Sequence, residues 1–198
     1  MPVTAFCVPL AWLLGTFPSA QLVARAHGHD ILKEGSGNPG ASNVARVLGW
    51  RAGALVLLCD FAKGLLAAGV GMAIGGRAGA FVLGVAAIVG HTFPLYRKGG
   101  KGIATGGGAL LVLYPEIVIS LAVVWFVVAR VLKKASLASL LCVVLFLVAA
   151  VALSDRNGYG TWELVILGAI AVLVVSRHIG NIRRLLRRQE NDLGANPS

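Results

Sequence analysis

The chain has 198 residues, of which 57% are hydrophobic and only 13% are charged, and its mean hydropathy is +0.81. This composition excludes a water-soluble domain, because too few polar residues are available to cover its surface. The formal net charge of +10 does not indicate nucleic acid binding, since the basic residues lie between hydrophobic segments rather than on one soluble face. Membrane lipids and anionic substrates are therefore the expected partners.

Long apolar runs predict an all-α integral membrane protein. The runs that are flanked by charge cover residues 3–24, 49–74, 78–90, 103–113, 117–129, 137–153 and 162–176. They lack the two-residue alternation of strands in a membrane barrel. A hydrocarbon core of about 30 Å needs roughly 20 apolar residues per helix, so little of the chain is left for a soluble domain. We predict one transmembrane domain over residues 1–198.

The distribution of charge predicts the orientation in the membrane. The segment 103–129 forms either one long helix or two helices joined near Pro115. With two helices, and so seven transmembrane helices, nearly all Lys and Arg residues face the cytoplasm; the exceptions are Lys63, Arg77 and Arg156. With six, most basic residues from Arg130 onward would be translocated, against the positive-inside rule. We predict seven crossings, with the N-terminus outside and the C-terminus cytoplasmic. The fourth and fifth spans are short and need extension by flanking residues or shielding by protein.

The first polar cluster, GSGNPGASNVAR, covers residues 35–46 between the first two apolar runs. Its glycines permit tight turns and a close approach to a ligand, and its Ser and Asn side chains offer neutral hydrogen-bonding groups. Arg46 adds a planar cation that suits phosphate or carboxylate. Taken alone, the cluster also fits a solvated turn. Its candidate site residues are Ser36, Gly37, Asn38, Gly40, Ser42, Asn43 and Arg46.

The second cluster runs from His91 to Thr105, includes KGGKGIAT at 98–105, and ends where the next helix begins. Glycines at a helix N-terminus expose N–H groups to an anion, and Lys101 places a positive charge beside them. The cluster is not a nucleotide P-loop, because Gly102 rather than Ser or Thr follows Lys101. Arg97 and Lys98 are expected to contact lipid headgroups. The candidate site residues are Gly99, Gly100, Lys101, Gly102 and Thr105.

The third cluster, HIGNIRRL, follows the last apolar run. His178 and Asn181 are three residues apart and would share one face of a continuing helix. Histidine is a possible base or phosphate ligand, although a lone His at a membrane exit is more often interfacial. Ser136 and Ser139, at the start of the sixth run, are candidate helix caps or site residues.

Two opposite charges lie inside the second apolar run. Asp60 and Lys63 are three residues apart on the predicted helix. A charge near the bilayer centre costs about 2.5 to 3.5 kcal/mol, so such residues usually pair or serve a function. We predict an internal ion pair. The cysteines are odd in number and lack the spacing of a metal site, so we expect small core residues.

In this order, the three clusters resemble the signatures of the bacterial membrane glycerol-3-phosphate acyltransferases that use acyl phosphate as donor. The resemblance covers most of the chain. It implies seven transmembrane helices in the bacterial inner membrane, a site facing the cytoplasm, no cofactor and no metal. The product would be lysophosphatidic acid, formed in the first step of phospholipid biosynthesis.

Carried over residue by residue, the resemblance marks two sets of residues. The catalytic set is Ser36, Arg46, Lys101, His178 and Asn181. The substrate-binding set is Gly37, Asn38, Gly40, Ser42, Asn43, Gly99, Gly100, Gly102, Thr105 and Ser139. The chain departs from the usual pattern at Ser42, where Thr is common, at Arg188, where Gly is common, and in a shortened segment 91–98 with Arg97 in place of Phe.

The implied reaction is attack of the 1-hydroxyl of glycerol 3-phosphate on the carbonyl of acyl phosphate, with release of phosphate. Lys101, Arg46, His178 and Asn181 would bind the phosphate of glycerol 3-phosphate, and the glycine-containing motifs would bind acyl phosphate. The proton would go to the leaving phosphate or to His178. The donor is already activated, which agrees with the lack of a nucleophilic triad pattern.

Two other functions are less well supported. A transporter of a phosphate-bearing solute would need polar groups on both faces of the membrane, but the outer loops are brief. A phosphatidyltransferase would need several metal-binding aspartates, and the chain has only Asp30, Asp60, Asp155 and Asp192.

Overall fold

The structure is a computed structural model that describes residues 2–95 and 98–193. Tyr96 and Arg97 lie outside the described residues. The expectation that Arg97 contacts lipid headgroups therefore stays a prediction. Over the described ranges the chain is helical and contains no strand. The helices are α1 (Pro2–Thr16), α2 (Ser19–Ala26), α3 (Ala41–Leu48), α4 (Trp50–Thr92), α5 (Ile103–Leu113), α6 (Pro115–Leu132), α7 (Ala135–Ala152), α8 (Ser154–Asn157), α9 (Thr161–Arg177) and α10 (Ile179–Leu186). They form two compact units, the first reaching Pro115 and the second running from Glu116 to Leu193.

In the first unit, the apolar run 3–24 forms two helices that are separated at Pro18. Proline has no N–H to donate, and it disfavours the helical conformation of the residue before it, here Phe17. The helix resumes at Ser19, and Leu22 N–H donates to the Pro18 carbonyl at 2.9 Å. The bend exposes polar groups of the chain within an otherwise apolar segment.

Helix α4 contains the second and third predicted spans. It is interrupted at Gly76, whose φ of 60° and ψ of −154° are not helical, so two helical arms meet there. This break lies between the predicted runs 49–74 and 78–90. It confirms that the two runs are separate helical segments.

Helix α5 packs closely on α4 through small residues. A Cβ atom added to Gly64 would collide with the Thr105 carbonyl oxygen, and one added to Gly108 would collide with the Phe61 carbonyl oxygen. Glycine allows two helix backbones to approach in this way, as is common between helices in membranes. The packing fixes the start of α5 against α4.

In the second unit, α6 has 18 residues and is longer than the run 117–129 that predicts it. At 1.5 Å per residue it is about 27 Å long, so flanking residues extend the fifth span as expected. The non-helical Tyr114, with φ of −140°, precedes α6. The segment 103–129 therefore forms two helices, as the charge distribution predicts.

The last helix bends at His178, by 58° between α9 and α10. The expectation that His178 and Asn181 share a continuing helix is therefore wrong. The imidazole Nδ1 of His178 bonds the Val174 carbonyl at 2.8 Å, and the backbone N–H of His178 bonds Val175 instead, at 2.9 Å. In an uninterrupted α-helix the backbone N–H would bond Val174. The side chain thus replaces the backbone as donor and ends the helix.

Among the described helices, four spans are long and apolar enough to cross a membrane: Val3–Ala26, α4, α6 and α7. The bent pair α9 and α10 is a fifth span if it is counted as one. Helix α5 is apolar but has only 11 residues.

Candidate active site

The first motif folds around the side chain of Asn43, which is 2% exposed. Its Nδ2 donates to the carbonyls of Ile31 at 3.2 Å and Glu34 at 3.0 Å. Its Oδ1 accepts from the Ser36 N–H at 2.8 Å and from Arg46 Nη1 at 3.1 Å. Both ends of the amide are therefore used, Nδ2 by the loop that precedes the motif and Oδ1 within the motif. Asn43 holds the loop against α3 and orients the guanidinium of Arg46.

Gly37 lies where the first motif approaches the second. Its φ of 61° is in the left-handed region, which favours glycine. A Cβ atom at this position would lie 2.8 Å from the Leu32 carbonyl oxygen and 3.6 Å from Lys98 Nζ. The fold of the first unit therefore brings the first two motifs together.

Glu34 closes the loop that precedes the first motif. Its carboxylate bonds His29 Nδ1 at 2.8 Å and accepts a hydrogen bond from the Asp30 N–H at 2.9 Å. The hydrogen bond with His29, followed by that with Asp30, lowers the pKa of Glu34 below its ordinary value. These bonds stabilise the ionised carboxylate at neutral pH.

The second motif leads directly into α5. Gly102 is in the left-handed conformation with φ of 83° and precedes the first helical residue, Ile103. The first hydrogen bond of the helix runs from the Gly106 N–H to the Gly102 carbonyl at 2.7 Å. By helix geometry, the N–H groups of residues 103–105 point out of the helix start, which favours an anion there. Half-buried Lys101 adds a positive charge beside this helix start.

Thr105, a predicted substrate-binding residue, lies in the first turn of α5 and is completely buried. Within the part of the chain that the structure describes, its hydroxyl has no hydrogen-bond partner. The hydroxyl is closed off from solvent in this conformation. A substrate would reach it only after a local rearrangement.

The predicted ion pair between Asp60 and Lys63 is present and buried. Lys63 Nζ donates to Asp60 Oδ1 at 2.5 Å, to the Phe17 carbonyl at 2.6 Å and to Ser19 Oγ at 3.0 Å. The Ser19 hydroxyl in turn donates to Asp60. These three bonds use all three N–H groups of the ammonium. The pair therefore holds α4 to the bend at Pro18.

One open pocket within the first unit is lined by Pro39 of the first motif and by Lys98, Gly99 and Gly100 of the second. Its walls come from the bend between α1 and α2, from the first motif, from α4 and from the glycine-rich segment. They include Phe17, Ser19, Pro39, Asp60, Lys63, His91, Lys98, Gly99 and Gly100. Lys98 lines this pocket, a position that its sequence pattern does not predict. Glycine backbone beside a lysine is an arrangement that suits an anionic ligand.

The third motif belongs to the second unit. His178 is 2% exposed, and its Nδ1 contacts the Val174 carbonyl at 2.8 Å. A carbonyl only accepts hydrogen bonds, so we assign the proton of the neutral ring to Nδ1 and the lone pair to Nε2. Nε2 is thus the nitrogen that is able to accept a proton.

Glu190 is a functional candidate that the sequence motifs do not include. Its buried carboxylate accepts hydrogen bonds from Ser136 Oγ at 2.8 Å, Asn181 Nδ2 at 2.6 Å and Arg184 Nε at 2.8 Å. The Lys134 ammonium also donates to the Glu190 carbonyl. Glu190 therefore holds the amide of Asn181 in place. The one signal in the sequence is an acidic residue two positions after the basic pair Arg187 and Arg188.

The serines at the start of α7 do not cap it. The residue before the helix is Lys134, and no side chain bonds the helix start there. Ser136 bonds Glu190, and the Ser139 hydroxyl accepts from Trp125 Nε1 at 3.0 Å and donates to the Ala135 carbonyl at 2.8 Å. The interpretation of these serines as caps is therefore wrong. Ser139 joins α6 to α7.

Comparison with known proteins gives consistent matches over nearly the whole chain. A family model for glycerol-3-phosphate acyltransferase matches residues 5–188. The glycerol-3-phosphate acyltransferase of Bacillus subtilis is 35% identical over 189 residues, which cover 94% of this chain and 95% of that protein. The protein of the same name from Methylococcus capsulatus is 40% identical over 200 residues, covering 98% of each.

Two solved structures are also similar. One is PlsY (YgiH), an integral membrane glycerol 3-phosphate acyltransferase, in its glycerol 3-phosphate form. It has a TM-score of 0.88 and 32% identity, and the match covers 97% of this chain and 96% of that one. Its lysophosphatidic acid form has a TM-score of 0.83 and 33% identity, covering 98% and 96%.

Proposed function

We propose that this chain, which belongs to the glycerol-3-phosphate acyltransferase family, transfers an acyl chain from acyl phosphate to the 1-hydroxyl of glycerol 3-phosphate. The products would be lysophosphatidic acid and inorganic phosphate. The observation that carries the proposal is a pocket at which Pro39 of the first motif lies beside Lys98, Gly99 and Gly100 of the second. Such a pocket suits a phosphate-bearing substrate.

The proposed step needs little covalent chemistry from the protein. The hydroxyl oxygen of glycerol 3-phosphate bonds to the carbonyl carbon of the acyl phosphate, and the bond from that carbon to the phosphate oxygen breaks. Phosphate is a good leaving group, so no enzyme nucleophile is required. The protein's contribution is to bring two anions together, orient them and stabilise the developing negative charge.

In the first unit, Lys101, Arg46 and the backbone N–H groups of the glycine-rich segment supply this positive potential. Ser36, Gly37, Asn38, Gly40 and Ser42 are proposed to bind substrate phosphate through neutral hydrogen bonds. The saturated amide of Asn43 supports a different role, which is to shape the motif. For His178 and Asn181 in the second unit, the proposed role is phosphate binding.

The reaction is tested with purified protein in lipid, supplied with glycerol 3-phosphate and either palmitoyl phosphate or palmitoyl-CoA. We expect lysophosphatidic acid from palmitoyl phosphate. Lys101→Ala should lower the rate by about 10²- to 10³-fold, the usual effect of losing one group that stabilises developing charge. Lys33→Ala is the matched control, because the Lys33 side chain is 84% exposed and precedes the first motif. No product from either donor with a folded preparation would overturn the proposal.

The proton of the attacking hydroxyl is proposed to go either to the leaving phosphate or to Nε2 of His178. His178→Asn separates them, because the Asn amide can still donate to the Val174 carbonyl but cannot titrate. If His178 is the base, the variant loses the acid limb of the rate profile. If the limb persists and only KM rises, the leaving phosphate is the acceptor.

The proposal includes seven crossings of the bacterial inner membrane, with the active site facing the cytoplasm. The break of α4 at Gly76 supports two spans there, and α5 supports a further short one. The test is labelling of intact cells with a membrane-impermeant maleimide, after replacing Cys7, Cys59 and Cys142 by Ala. Ser154→Cys should react from outside and Lys133→Cys should not. The reverse pattern would contradict the orientation.

A further inference from the structure

His91 lies between a buried carboxylate and the glycine-rich segment. Its side chain is 9% exposed, and its Nδ1 is 3.8 Å from Asp60 Oδ1. The opposite edge of the ring faces Gly100. A Cβ atom added to Gly100 would overlap Nε2 and lie 2.8 Å from Cε1 and 3.1 Å from Cδ2. In addition, the Gly100 N–H donates to the His91 carbonyl at 3.1 Å.

The neighbouring glycine meets a different kind of obstacle. A Cβ atom added to Gly99 would overlap the backbone carbonyl of Thr92 and lie 2.7 Å from Pro94 Cδ. At Gly100, by contrast, every one of the three nearest atoms belongs to the imidazole of His91. One side chain therefore determines how closely the segment approaches α4 at Gly100. Backbone determines it at Gly99.

We propose that His91 is a positioning residue for substrate binding. The imidazole, with Asp60 beside Nδ1, supports Gly100 and so sets the position of the adjoining Lys101 and of the backbone N–H groups that lead into α5. This inference rests on the proposed function for the identity of the bound anion. Removing the ring leaves a gap beneath Gly100, and the N–H groups lose the fixed geometry on which anion binding depends.

The contact predicts a specific rescue. Gly100→Ala forces the methyl group against the imidazole, and His91→Ala removes that imidazole, so each single variant should raise KM for glycerol 3-phosphate more than it lowers kcat. In the double variant the methyl group introduced at position 100 occupies part of the vacated space. Its KM should therefore be lower than the product of the two single effects, by about 3- to 100-fold, the range for side chains in direct contact. His91→Gln, which keeps a polar group near Nε2, should recover part of the loss.

Gly99→Ala is the matched control. It collides with backbone, so His91→Ala should not rescue it, and the two effects should multiply. The same comparison is read in unfolding temperature and yield of folded protein, so a variant that folds poorly still gives a result. Equal rescue of Gly99→Ala and Gly100→Ala, or none of either, would overturn the inference. A wild-type protein without activity would contradict the proposed function alone, because the coupling in unfolding temperature still tests the contact.

Discussion

Replacing Glu190 by Ala should strongly destabilise the second unit. The carboxylate accepts hydrogen bonds from Ser136, Asn181 and Arg184, and it is only 7% exposed. Leaving a buried donor without an acceptor costs about 1–3 kcal/mol, and Ser136 and Asn181 are two such donors. The Arg184 side chain is 35% exposed, so water partly replaces its bond and the added loss is small. Because the three bonds share one group their costs do not simply add. We expect a total loss of about 3–5 kcal/mol in the free energy of unfolding.

The loss is measured by titrating purified protein from mild detergent into dodecyl sulfate while following helicity by circular dichroism. Ser136→Ala removes one neutral donor and should cost only about 1 kcal/mol. Glu190→Gln keeps an acceptor for Asn181 but loses the charge opposite Arg184, so its loss should lie between the other two. Since Asn181 is a proposed phosphate ligand, Glu190→Gln should also raise KM for glycerol 3-phosphate. A loss in Glu190→Ala no larger than that in Ser136→Ala would refute the reasoning.

Three further predictions concern single features of the structure. Arg188 is exposed and has a φ of 56°, in the left-handed region. Arg188→Gly should relieve this strain and raise the free energy of unfolding by about 0.5–1 kcal/mol in the same titration. An unchanged free energy of unfolding would contradict this prediction. Asp60→Leu should lower the free energy of unfolding by about 3–5 kcal/mol, because Lys63 stays buried without its counter-charge. The double variant Asp60→Leu with Lys63→Met should lose less. A double variant at least as unstable as the single one would exclude a buried ion pair as the cause. The pKa of Glu34 is lowered in the folded protein, so the stabilising contribution of its carboxylate is complete above the ordinary pKa of about 4.3 and is lost as the pH falls through the folded pKa. His29→Ala should raise the folded pKa, which is measured by carbon-13 NMR titration of the carboxyl group. An unchanged pKa would count against the bond with His29.

The apolar runs determine the long helices, because backbone polar groups in lipid must bond within their own segment. Predicted and observed bounds coincide for α5, which lies between Gly102 and Pro115. The ion pair of Asp60 and Lys63 is also predictable, since two opposite charges three residues apart in an apolar helix have few other partners.

Only the tertiary structure decides how the motifs are shaped. Asn43 in α3 and His178 at the bend bond backbone carbonyls through their side chains, and the apolar pattern does not predict these contacts. Glu190 reaches Ser136 across 54 positions of sequence, and the contact of the His91 ring with Gly100 is not predicted by their spacing of nine residues. The hydrophobic pattern predicts which segments lie in lipid, because this preference is a sum over the residues of each segment. Contacts between distant polar groups depend on where the packed helices place them.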